Sequence, residues 1–239
     1  MLKRRRIFSL SGAVAAALLS MLGGCGKDSP TAPEMPQGPL LYVTSYLDGV
    51  TAYAASASGN ISPHAAIRND LNRPAGVAVD GAGKIYVANY AGSSIAVYSA
   101  SASGDGAPIT SILGAATLLS NPQDVAVDAA GKIYAVNYGN FSVTVYAAGA
   151  SGNAAPIATI IGANTGLSYP EGVAVDGTGK IYVANYLANS VTVYAAGANG
   201  NAAPVDSIGG ISTGLDLPTG VAVDGAGKIY VANFSGSIT

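Results

Sequence analysis

The string Val-Ala-Val-Asp occurs four times, at Val77–Asp80, Val125–Asp128, Val173–Asp176 and Val221–Asp224. Its aspartates fall at 80, 128, 176 and 224, a spacing of 48 residues each time. Pro74, Pro122, Pro170 and Pro218 keep the same period, as do Lys84, Lys132, Lys180 and Lys228. A fixed period of this length means stacked copies of one supersecondary unit, each burying the next. A first, incomplete unit begins at Leu41-Tyr42-Val43-Thr44-Ser45-Tyr46, which matches Ile85-Tyr86-Val87-Ala88-Asn89-Tyr90. It lacks the Pro-x-Gly-Val-Ala-Val-Asp stretch, and it is three residues shorter between Tyr53 and Pro74 than the next unit between Tyr98 and Pro122.

Each full unit reads as four short strands, in the second unit roughly 76–80, 84–90, 94–99 and 108–113. Apolar or small residues stand on both faces, as in Ile95-Ala96-Val97-Tyr98, so each sheet must be covered on both sides. Four-stranded sheets stacked face to face around an axis achieve this. The expected fold is therefore all-β, a β-propeller with three full and two partial 48-residue repeats over 41–239. A parallel β-helix is the competitor, but its coils are shorter and these units carry hairpin turns. The Gly-Val-Ala-Val-Asp strand has the smallest side chains and is placed innermost. The first unit starts at a second strand and Phe234–Thr239 lies within a third, so an arc is expected, an open or truncated ring. Closed propellers avoid such free edges, and a truncated reading frame is the expected reason.

The turn Asp80-Gly81-Ala82-Gly83-Lys84 becomes Asp128-Ala129-Ala130-Gly131-Lys132 in the next unit. The first glycine tolerates alanine and the second does not, which predicts positive φ at Gly83, Gly131, Gly179 and Gly227. The aspartate is expected to accept N–H groups across the turn. Its presence in every unit makes a structural role the better reading than an Asp–Lys catalytic pair.

Lys3-Arg4-Arg5-Arg6 precedes an uncharged run from Ile7 to Leu22. That pattern is a secretory signal, and the run is short for a membrane span of about 20 residues. Leu22-Gly23-Gly24-Cys25 resembles a bacterial lipobox, with Gly where Ala or Ser is more usual. The resemblance implies a signal peptide over 1–24 and an acylated Cys25, which is the chain's one cysteine. It also implies a cell-envelope location, at the outer membrane in a two-membrane bacterium because Gly26 follows. Pro30, Pro33, Pro36 and Pro39 make the segment 25–40 an extended tether.

Taken together, the proline, Gly-Val-Ala-Val-Asp, Gly-containing turn, Ile-Tyr-Val-Ala-Asn and Val-Thr-Val-Tyr segments resemble the NHL repeat. The resemblance covers essentially all of 41–239. It departs where Asn89, Asn137, Asn185 and Asn233 replace the usual aspartate, and where Ser94, Ser142 and Ser190 replace arginine. RNA-binding members of that family rely on basic surfaces. Here, beyond the N-terminal cluster, seven basic residues face thirteen acidic ones. Nucleic acid is excluded as a partner.

Similar propellers include gluconolactonase-like enzymes, streptogramin lyases and peptide-amidating lyases, whose sites gather acids, amides or histidines. This chain has one histidine, His64, without evident partners, and no nucleophile or phosphate-loop motif. No cofactor and no metal site are expected. The four asparagines could form a ring of ligands at the axis, although repetition in every unit favours backbone hydrogen bonding. The expected function is binding or scaffolding of a protein, peptide or glycan, with a propeller hydrolase or lyase as the alternative. The loops leading into the inner strands vary, and loops that vary on a fixed scaffold carry specificity. Arg73, Gln123, Asp124 and Glu171 are the candidate ligand residues, flanked by Tyr90, Tyr138 and Tyr186. Alanine at Gln123, Asp124 and Glu171 together is expected to abolish partner capture and to leave the thermal unfolding midpoint nearly unchanged; the competing reading is drift on a solvated rim.

Overall fold

The computed structural model describes residues 38–239. The signal segment, Cys25 and nearly all of the tether lie outside the described residues. Within them the secondary structure is β, apart from one short 3-10 turn at Ala115–Thr117.

Five antiparallel sheets follow one another in chain order. The first holds β1 (Leu40–Ser45), β2 (Gly49–Ala54) and β3 (Ala65–Ile67). The second holds β4 (Pro74–Val79), β5 (Ile85–Asn89), β6 (Ser94–Tyr98) and β7 (Thr110–Ile112). The third repeats this as β8 (Pro122–Val127), β9 (Ile133–Asn137), β10 (Ser142–Tyr146) and β11 (Ala158–Ile160). The fourth is β12 (Pro170–Val175), β13 (Ile181–Asn185), β14 (Ser190–Tyr194) and β15 (Asp206–Gly209). The fifth is β16 (Pro218–Val223) and β17 (Ile229–Asn233), with Val231 and Thr239 exchanging backbone hydrogen bonds beside β17.

The expected hairpin chemistry sets the first turn of each full unit. Gly83, Gly131, Gly179 and Gly227 have φ of 81°, 78°, 85° and 81°. Asp80 Oδ1 accepts the N–H groups of Ala82 and Lys84, both at 2.9 Å, and Tyr86 donates its hydroxyl to Oδ2 at 3.0 Å. The same three bonds recur at Asp128, Asp176 and Asp224. The aspartate thus holds the lysine's backbone, not its ammonium group.

The small-residue strands β4, β8, β12 and β16 stand next to one another along the inner edge. A Cβ on Gly172 would lie 2.7 Å from the Gly220 Cα, so backbones approach here as only glycine permits. The core lies between blades. Tyr86, Ile95 and Val97 of the second blade pack against Val125, Ile133 and Tyr146 of the third. Tyr134, Val143 and Val145 repeat this against Val173, Ile181 and Tyr194. Each buried Val, Ile or Tyr contributes about 1.5–3 kcal/mol by leaving water, which is what makes stacking obligatory. At the outer rim, single parallel bridges Ile67–Gly104, Ile112–Gly152 and Ile160–Gly200 clasp the first four blades in succession.

The blades form an arc. β1 packs on β4 in the position of a second strand, and among the described residues no packed pair of strands joins β16 back to β1.

Candidate functional site

Four segments cross from the outer strand of one blade to the inner strand of the next. Each ends on a left-handed residue: Arg73, Asn121, Tyr169 and Leu217, with φ of 52°, 49°, 50° and 51°. A proline follows every time, and proline excludes the right-handed helical region for the residue before it. The chain therefore reverses through a conformation that costs non-glycine residues on the order of 1–3 kcal/mol. Hydrogen bonds hold it there. The carbonyls of Arg73, Asn121, Tyr169 and Leu217 accept the N–H groups of Tyr90, Tyr138, Tyr186 and Phe234 at 3.0–3.2 Å.

The second-strand asparagines complete this clamp. Oδ1 of Asn89, Asn137, Asn185 and Asn233 accepts the N–H of Asn72, Ser120, Ser168 and Asp216 at 3.0–3.2 Å. Their Nδ2 groups donate within the blade, to Ser94 Oγ from Asn89 and to Thr144 Oγ1 from Asn137, for example, and from Asn89 and Asn233 also to the Asp70 and Gly214 carbonyls of the crossing segments. The asparagines are buried and their amides are spent inside the fold. They are not a ring of ligands.

Fixing the crossing segments sets an aromatic side chain at the same place in four blades, and Tyr46 holds the equivalent position in the first. Tyr46, Tyr90, Tyr138, Tyr186 and Phe234 each follow a second strand. Ring centroids are 5.9 Å apart for Tyr46–Tyr90, 6.2 Å for Tyr90–Tyr138 and 6.0 Å for Tyr186–Phe234. Face-packed sheets stand about 10 Å apart, so spacings near 6 Å put the row where blades converge. Tyr169 and Phe141 join it at the centre, with Tyr138–Tyr169 at 5.1 Å and Phe141–Tyr169 at 4.5 Å. The Arg73 guanidinium lies 6.0 Å from the Tyr46 ring at one end. The tyrosines are half-buried, Phe141 and Phe234 exposed. Neighbouring rings are inclined to one another by 43–86°, so they do not make one flat face.

The expectation that the candidate ligand residues stand in loops needs correction at three of them. Gln123 and Asp124 lie within β8 and Glu171 within β12, with 5%, 8% and 5% of their surface exposed. They are part of the inner strands, immediately below the crossing segments. Asp124 stands where Gly76, Gly172 and Gly220 stand in the other units. Its Oδ1 accepts the N–H of Val125 at 2.9 Å and its Oδ2 that of Val173 at 3.1 Å. Glu171 is close to Tyr138, whose ionisation is pushed up by burial first and then by the Glu171 charge, with Tyr90, Tyr169 and Tyr186 adding to it. Arg73 is exposed as expected. Alanine at Gln123, Asp124 and Glu171 would open a buried polar layer, so unchanged unfolding is no longer the expectation.

A profile of the NHL repeat matches residues 71–98, which run from the crossing segment to the end of β6. Solved structures agree. The fold is an NHL-repeat-like β-propeller. Hydrazine synthase from Kuenenia stuttgartiensis superposes with a TM-score of 0.53 at 21% identity, over 73% of this chain and 46% of that one. The WD40 β-propeller domain of Doa1 gives 0.57 at 12%, over 83% and 60%. A streptogramin B lyase gives 0.55 at 12%, over 85% and 65%. The chain thus spans about half to two thirds of the length of these proteins, and identities this low speak for the fold alone. No curated protein matches in sequence.

Elsewhere in the propeller, His64 is half-buried just before β3, its N–H donating to the Ala52 carbonyl at 2.8 Å. Among the described residues no three His, Cys, Asp or Glu side chains are grouped to hold a metal ion. Two parts of the site escaped sequence reasoning. Tyr46 and Phe234 were legible as the same register position in the partial units. Phe141 and Tyr169 carried no repeat signal, because each fills its loop position in one unit only.

Proposed function

We propose that this propeller is a lipid-anchored, extracytoplasmic binding module that takes an extended peptide segment of a partner protein along the aromatic row. The row of aromatic rings carries this reading: one run passes from Tyr46 through Tyr90 and Tyr138 to Tyr169 and Phe141, and the pair Tyr186–Phe234 follows it. Tyr90, Tyr138, Tyr186 and Phe234 are set by clamped crossing segments, so most of the surface is ordered before a ligand arrives, and little ordering cost remains at binding. Aromatic side chains offer large contact area with a polar tip, which is why they dominate binding surfaces. The tilt between neighbours favours a peptide over a glycan. A sugar ring lies on a flat aromatic face, whereas rings inclined to one another leave notches between them for successive side chains. Acylated Cys25 and the proline-rich tether supply the membrane attachment in this reading.

The test is selection of linear peptides by the full-length protein in detergent, beside an array of neutral oligosaccharides. Selected peptides are expected to lose at least about tenfold in affinity to a Tyr138→Ala, Tyr186→Ala double variant, the scale of one interface hot spot. Equal affinity for that variant, or capture of oligosaccharides and no peptide, would overturn the reading.

A further inference from the structure

On the same face, between the first and second blades, Tyr46, Leu47, Asp48, Gly49, Arg68, Leu71, Arg73 and Pro74 line a cleft of about 300 Å³. That is the lower end of the range for small-molecule sites. We infer that this cleft binds a small ligand bearing an oxyanion, a carboxylate or a phosphate, through Arg68 and Arg73. The cleft meets the end of the aromatic row at Tyr46 and Arg73, whereas Arg68 stands outside that row, so a change at Arg68 tests the cleft by itself.

The cleft comes from the shortened first unit. Tyr98, Tyr146 and Tyr194 donate their hydroxyls at 2.6 Å to the carbonyls of Asn69, Thr117 and Thr165, so these three acceptors are equivalent. Counting back, three residues are missing between Ile67 and Asn69. In later units those residues belong to a closed turn, in which Thr117 donates its hydroxyl to Gly114, Thr165 to Gly162 and Thr213 to Gly210, at 2.6–2.8 Å. Arg68 occupies the shortened stretch where the others have the turn. The missing turn leaves room beside it.

The charges at this place are not part of the repeat. Arg68 follows Ile67 where Leu113 follows Ile112 and Ile161 follows Ile160. Arg73 corresponds to Asn121, Tyr169 and Leu217. The other described cations, Lys84, Lys132, Lys180 and Lys228, sit one per unit on the hairpin turns at the opposite end. Both arginines of residues 38–239 therefore line one cleft of an otherwise acidic chain, and the scaffold requires neither. Both are exposed, and among the described residues neither is in an ion pair. Asp48, also at the cleft, accepts the Ser45 hydroxyl at 3.0 Å. Asp70 stands two residues beyond Arg68 and its charge acts on Tyr98. Two guanidinium groups against the one lining carboxylate leave the cleft positive. Planar guanidinium forks match the paired oxygens of carboxylate and phosphate. Tyr46 and Leu71 give an apolar wall for the body of such a ligand.

Calorimetric titration of the full-length protein in detergent with glucuronate, inorganic phosphate and glucose tests this. Glucuronate, phosphate or both are expected to bind, more weakly as salt rises, while glucose does not. The stronger of the two names the oxyanion. Arg68→Ala with Arg73→Ala should lower that affinity about tenfold or more, and Arg68→Ala alone should do so without changing peptide binding. Arg68→Lys with Arg73→Lys should restore part of the loss, since lysine keeps the charge but not the fork. Equal binding of glucose, undiminished anion binding by the double alanine variant, or no anion binding at about 20 mM would each overturn the assignment.

Discussion

Asp124 in the third blade accepts the backbone N–H of Val173 in the fourth at 3.1 Å, and so ties two inner strands together through a side chain. Its counterpart in every other full unit is glycine, where inner strands meet backbone to backbone. The partner across the second interface is again glycine. A Cβ on Gly76 would come within 2.5 Å of the Asp124 Cα, so Gly76 is what lets the carboxylate stand there.

This relationship makes a prediction about stability. Asp124→Ala removes the acceptor of two buried N–H groups and should cost about 1–3 kcal/mol. Asp124→Asn keeps one acceptor oxygen and should cost less than the alanine change. Chemical denaturation midpoints at constant slope decide it. A midpoint for the alanine variant equal to the parent's would mean that the carboxylate does not strengthen the interface.

A second prediction separates the two glycines of one hairpin. Gly179 has φ of 85° and a Cβ there would lie 3.3 Å from the Ala196 Cβ. Gly177 has ordinary φ and open space, and the third unit already carries alanine at that position. Gly179→Ala should therefore destabilise by more than about 1 kcal/mol, while Gly177→Ala is neutral or stabilises by up to about 1 kcal/mol. Equal effects in a thermal melt would contradict the assignment of the left-handed position.

The repeat made the fold legible because each unit restates the same local instruction. Proline, Asp and the second glycine recur at fixed offsets, and the strands fall within two residues of where those offsets place them. The asparagine clamp was legible for the same reason. The candidate site was less so, since it depends on departures from the repeat. Gln123, Asp124 and Glu171 looked like loop residues beside a proline, yet the strand begins at the proline itself. Their burial follows from how closely the inner strands converge, which no single unit reveals. Arg68 carried a signal only as a charge in a stretch whose length had changed.

Alkaline pH should unfold the protein through its buried tyrosines. Burial pushes Tyr98, Tyr146 and Tyr194 up to about 12, from an ordinary value of 10.0. The charge of Asp70 adds to the shift at Tyr98, whereas hydrogen bonds to Thr144 and Thr117 oppose it at Tyr146. A folded value above the unfolded one means that stability is complete below pH 10 and is lost between 10 and 12 as the unfolded chain releases its protons. Thermal midpoints across that range should fall steeply. Tyr98→Phe with Tyr194→Phe should lower the neutral-pH midpoint, because the Asn69 and Thr165 carbonyls lose their donors, and should flatten the alkaline fall. An unchanged pH slope in that variant would place the alkaline sensitivity elsewhere.

The last prediction concerns the anchor on which an envelope location rests. A diacylglyceryl group and an N-acyl chain on Cys25 would bury many methylenes, each worth about 0.8 kcal/mol. One chain alone gives marginal, reversible binding, and stable attachment needs a second. Among the described residues no helix is long and apolar enough to cross a membrane. In the lipoprotein reading the acyl chains on Cys25 carry the attachment. Cys25→Ser should therefore either stop processing, leaving a product heavier by the signal segment, or release the protein from the membrane fraction. Mass spectrometry of the mature N-terminus and detergent phase partitioning separate these outcomes. If the serine variant is cut at the same site and stays in the detergent phase, Cys25 is not the anchor, and the attachment has to be sought in the uncharged run from Ile7 to Leu22.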